Sequence, residues 1–220
     1  MVQRGDTASA VRNEQIRLLF TQVPTALTGT LGATVSVVFV LWCSVDQRML
    51  LAWAGAVFLI NTYLAILSAF YRRNHGGPSS LWLRLYGLEA LLHGTAWGFL
   101  GYLGFQADAP FALLFCLAVL MGMGVGSIVT TGSMFPVFLA FMLPTLSPVA
   151  VMLFLHPAYA QHALGALVLA MIVFVCIAAY HYNRFLLESL RLRFKNDELL
   201  DEVQASNGEI RATVAMLEEE

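Results

Sequence analysis

Glu89 and His93 stand four residues apart in YGLEALLHGTAWGFLGY (86–102), a run that otherwise reads as lipid-soluble. No arginine or lysine lies within four residues of either. Four apart on a helix, the two side chains leave from one face and reach each other. An ionised group at membrane depth costs several kcal/mol unless it is paired or neutralised. The pair therefore has a job or a partner. It can tie its helix to a neighbour, since buried polar side chains act as interhelical glue. It can instead anchor a ligand or sense a proton at the polar end of an apolar pocket. Tyr86 and Trp97 fall on the same helical face and complete such a site. A metal or haem is not expected, because one acid and one imidazole are too few ligands. His181 lies several residues shallower than His93, so no second axial histidine is at hand. The first two readings stay open.

Further residues bear on a pocket. Met121 and Met142 fall in neighbouring apolar runs, and methionine is an adaptable pocket lining. Pro144 and Pro148, one turn apart in FMLPTLSP, each remove a backbone hydrogen bond and predict a hinge. Gly87, Gly94, Gly98 and Gly101 share the face opposite the acid and the imidazole, a pattern that lets a neighbouring helix approach closely. Gly122 and Gly126 form a second pair of small residues.

The surrounding chain dictates what must hold these residues. It has 220 residues, 59% hydrophobic and 12% charged, whereas soluble domains carry about 25% charge. The fold class predicted is all-α: a polytopic membrane protein. Apolar stretches near 22–43, 49–71, 85–105, 110–131, 134–155 and 163–185 are each long enough to cross a bilayer, which takes about 20 helical residues. Arginines concentrate before the first stretch, at Arg72, Arg73 and Arg84, and after the last, so both termini are expected in the cytoplasm. The N-terminal segment (1–21) reads as amphipathic and interfacial through EQIRLLF. Its lack of an apolar core makes a cleaved signal peptide unexpected. Trp42, Trp53, Trp82 and Tyr71 fall near span ends, as interface anchors do. Cys43, Cys116 and Cys176 read as small buried hydrophobes. No basic patch points to nucleic acid, and no phosphate loop or catalytic triad points to an enzyme.

After the six-helix region (22–186), residues 187–220 change character. They hold nine of the fourteen acidic residues and no proline. Steps of three and four link Leu192, Asn196, Leu199, Val203, Ser206, Ile210, Thr213 and Leu217 into a heptad seam, weak at Ser206 and Thr213. A core asparagine fixes register and favours a parallel pair, so a dimeric cytoplasmic coiled coil is predicted, with SNG (206–208) as a place where it could break. The sequence stops in mid-pattern, as an input module with its output domain beyond it would.

The segments EQIRLLFTQVP, LLHGTAWGFLGYLGF, MGMGVGSIVTTGSMFPVFLAFMLPTLSPV and LRLRFKNDELLDEV together resemble the N-terminal sensor region of bacterial sensor histidine kinases, often hybrid ones, and of GGDEF diguanylate cyclases. The likeness runs over about residues 14–203 and rests on Gly, Pro and Trp positions more than on a catalytic motif. It implies a homodimeric input module in the bacterial inner membrane, itself not an enzyme, relaying a signal through its sixth helix to a coiled coil. Its partners would be a second copy and membrane lipids; the small lipophilic ligand belongs to the pocket reading of Glu89 and His93, and the likeness itself names none. The alternative is a transporter-like or cofactor-binding membrane protein, although no inverted repeat or pair of matched broken helices is visible.

Overall fold

The structure, a computed structural model, describes residues 3–73, 78–107 and 109–218, and for 3–8, 110, 201 and 209–218 the backbone alone. The described residues form seven helices joined by short turns, without strands. These are α1 (Gln3–Thr21), α2 (Val23–Leu41), α3 (Gln47–Arg73), α4 (Ser79–Gln106), α5 (Pro110–Thr131), α6 (Phe135–Leu155) and α7 (Tyr159–Glu218). Local chemistry sets the boundaries. Pro24, Pro110 and Pro136 sit in the first turns of α2, α5 and α6, where a missing N–H costs nothing. Asp46 caps α3, its carboxylate accepting from the N–H groups of Arg48 (2.7 Å) and Met49 (3.3 Å).

The chain is that of a multi-pass membrane protein. Five helical stretches are long and apolar enough to cross a bilayer: Ser9–Leu41, Gln47–Arg73, Phe111–Thr131, Phe135–Leu155 and Tyr159–Gly208. They coincide with five of the six expected spans. The remaining one, α4, falls short in apolarity because Glu89, His93 and its glycines dilute it. Its position explains why that dilution is tolerated. It packs against α3, α5 and α6 and buries residues on both its glycine face and its polar face. Neighbours bond to its backbone: Trp53 Nε1–H donates to Ala96 O (2.7 Å), and the Thr145 hydroxyl to Gly94 O (3.3 Å).

Three expectations need adjusting. Trp53 and Trp82 are core residues, 3% and 8% exposed, and their indoles join aromatic clusters with Trp97 and with Phe20 and Tyr71. The N-terminal amphipathic piece is a helix of 19 residues whose Ile16, Leu19 and Phe20 are buried against the end of the bundle. No break occurs at 206–208, for α7 is helical through it.

Candidate functional site

The glycine face of α4 meets α6 at its two interior prolines. A Cβ added to Gly94 would strike the Phe141 carbonyl, and one added to Gly98 the Pro144 carbonyl. One added to Gly101 would strike the Val149 side chain. Pro148 has no N–H, so the Pro144 carbonyl has lost its helical donor, and Gly98 brings a Cα–H against it. A weak C–H···O contact of this kind recurs where helices touch. The proposed hinge residues thus lie in a tight helix–helix seam, and α6 stays helical through both of them. Gly87, expected on this seam, has no neighbour within 4 Å of an added Cβ.

Across α4 the acid and the imidazole are joined. His93 Nδ1 lies 2.8 Å from Glu89 Oε1, and both side chains are buried. The imidazole stacks on Trp97 (6.5 Å between centroids) and meets Phe141 edge-on (5.9 Å). Three buried polar atoms near this level of the bundle have no hydrogen-bond partner: His93 Nε2, Trp97 Nε1 and Asn61 Nδ2. An unpaired buried donor or acceptor costs about 1–3 kcal/mol, so an orphan in a membrane core needs a reason. Asn61 is partly served, since the Thr30 hydroxyl donates to its Oδ1 (2.8 Å).

Glu89, His93 and Tyr86 form the inner wall of a cavity of about 370 Å³. Residues from α2 (Gly29, Thr30), α3 (Leu64), α5 (Gly122, Gly126) and α6 (Phe141) complete it. Met121 and Met142 do not line it: Met142 is fully buried, its sulfur beside Gly124, and the lining methionine is Met123. Trp97 stands behind His93 rather than on the wall. Among the described residues, no third His, Cys, Asp or Glu joins the pair to make a metal-binding cluster.

One end of this cavity reaches Thr131, two residues before a junction that sequence reading missed. The Ser133 carbonyl accepts from Gln15 Nε2–H of α1 (2.6 Å) and from Asn183 Nδ2–H of α7 (2.7 Å). A carbonyl oxygen has two lone pairs, and here each serves a different helix. Phe20 of α1 stacks on Tyr71 (3.9 Å) and meets Tyr86 edge-on (5.4 Å). Tyr86 therefore touches both the cavity and the N-terminal helix. A glutamine inside an amphipathic helix and an asparagine at a span end carry no signal that pairs them across 50 and 118 residues.

The expected dimer seam on α7 is bare. Leu192, Leu199 and Val203 are 68%, 48% and 55% exposed, and Asn196 is exposed beside them. Ile210 and Leu217 lie outside the residues whose side chains are described. Comparison with protein-family models, with curated proteins and with solved structures finds no match.

Proposed function

We propose that this chain is the membrane-embedded input module of a bacterial signal-transduction receptor, most plainly a histidine kinase, and that it works as a parallel homodimer. The observation that carries it is α7. This single helix of 60 residues would be about 90 Å long at 1.5 Å per residue. Its first half is buried in the bundle at Val168, Val175 and Ala179. Beyond Leu190 it leaves the bundle with an apolar stripe, Leu192, Leu199 and Val203, that no described residue covers. A stripe at heptad spacing with an asparagine in it is what a second copy would cover. A rigid rod buried at one end and dimeric at the other converts a rearrangement among helices into one between output domains. The Ser133 junction gives the cavity a short mechanical route to that rod.

In this proposal α4 also crosses the membrane, as the third of six spans. Support comes from which helix ends meet. Phe20, Tyr71, Trp82, Ser133 and Asn183 gather at one end of the bundle. Phe105 and His156 meet at 6.4 Å, and Gly165 packs on Leu153 and Phe154, at the other. Helix α4 therefore runs the full length between them. With six spans a reporter fused after Gln161 is external and one fused after Gly77 is cytoplasmic. A cytoplasmic signal at Gln161 would mean that α4 does not cross.

The dimer is tested by cysteine cross-linking in intact membranes. Leu199→Cys in the seam should form a disulfide with its twin under mild oxidation, and Asp197→Cys off the seam should not. Equal rates at the two positions would refute a parallel pair.

A further inference from the structure

Gly29 of α2 and Gly122 and Gly126 of α5 are exposed on the outer surface of the bundle at the rim of the cavity. A Cβ added to any of them meets nothing within 4 Å. The gap between α2 and α5 is thus held open by missing side chains, and it faces the lipid. Behind it the walls are largely apolar, and at the back stand Glu89, His93 and Tyr86. No lysine or arginine is among the described lining residues. A carboxylate or phosphate head would therefore enter without a counter-charge, which burial penalises heavily.

We propose that this cavity binds a neutral amphiphile from the bilayer: a molecule with one hydroxyl or carbonyl head, set against the Glu89–His93 pair, and a short lipophilic body. The volume of about 370 Å³ holds about a dozen heavy atoms at roughly 30 Å³ each. Pockets of about 300–1,000 Å³ lined by apolar groups with a few placed polar ones are ordinary ligand sites. The carboxylate can only accept when ionised, while the imidazole accepts or donates at Nε2 according to its protonation. A hydroxyl matches either state of the pair. A second helix laid on the rim glycines would cover the mouth but leave the polar back wall unmet, so the small molecule is the occupant that uses the whole site. The sensor proposal gives this binding its consequence, whereas binding itself is measured without any output.

The test uses the full chain in lipid nanodiscs and a decanol carrying a photoactivatable diazirine in its chain, with labelled residues mapped by mass spectrometry. Labelling should be saturable and should map to the α2 and α5 residues around the mouth. Unlabelled decanol should compete about fivefold to tenfold better than decane or decanoate, the worth of about one hydrogen bond. Glu89→Gln or His93→Leu should erase that preference while the alkane's weak competition remains. Gly126→Leu, which fills open space, should cut labelling about tenfold with the thermal midpoint kept. Unsaturable labelling, equal competition by decane, or undiminished labelling in Gly126→Leu would overturn the proposal. Loss of the position-199 cross-link in Gly126→Leu without loss of labelling would also overturn it, and would assign the rim to contact between copies.

Discussion

Gly94 and Gly98 of α4 and Gly122 and Gly126 of α5 have the same four-residue spacing and opposite surroundings. Gly94, Gly98 and Gly101 of α4 are pressed against the backbone and side chains of α6. Gly29, Gly122 and Gly126 border empty space between α2 and α5. In the first set the absent side chain lets two helices approach. In the second it leaves an opening. Spacing of small residues tells which helix face is thin, and only the neighbouring helix tells whether the thinness is filled. Here the filled seam and the opening lie on different sides of α4, and the Glu89–His93 pair lies between them.

The largest effect that can sharpen this contrast is on the filled side. Gly98→Ala puts a methyl into the Pro144 carbonyl, and neither backbone can yield cheaply. A loss of about 1–3 kcal/mol is expected from such overpacking, read as reduced resistance to thermal or denaturant unfolding in micelles. Between the two sides, His93→Leu strips the Glu89 carboxyl of its 2.8 Å partner and should cost about 1–3 kcal/mol as an unsatisfied buried group. Glu89→Gln keeps a bond to the ring and should cost less, with the fold retained. The smallest effect is on the open side. Gly126→Ala meets nothing and removes a flexible residue from a helix interior, so stability should hold or rise by about 0.5–1 kcal/mol. A cost at Gly126 equal to that at Gly98 would break the contrast and mean that the rim is packed in the assembled protein.

Much of the architecture was legible because its causes are local. Runs of about 20 apolar residues must be helical in lipid, and five such runs recur within helices, three of them with nearly the expected bounds. The sixth, α4, was legible as a helix, but its glycine and polar faces are both core, which depends on neighbours on two sides. The acid and the imidazole were found from four-residue spacing alone, since one helix fixes that geometry. The cavity was not, because a wall shared by five helices has no sequence period. Met121 and Met142 were chosen by residue type and depth, whereas helix rotation decides which methionine faces inward, and it turns Met123 to the cavity. The docking of α1 was missed for the same reason as the Ser133 junction: long-range side-chain bonds to a turn carbonyl have no spacing to read.

The proposal that joins these parts is that the state of the cavity sets the arrangement of the α7 pair. It is tested most directly by the rate of disulfide formation at Leu199→Cys in intact membranes, compared between an otherwise wild-type chain and one that also carries Gly126→Leu. Coupling between a site and a distant element is worth about 1–3 kcal/mol where it exists, about fivefold or more in an equilibrium. A change in cross-linking of about that size, with Asp197→Cys unreactive in both backgrounds, is the predicted result. An unchanged rate at position 199, with the cavity filled and the fold intact, would contradict it.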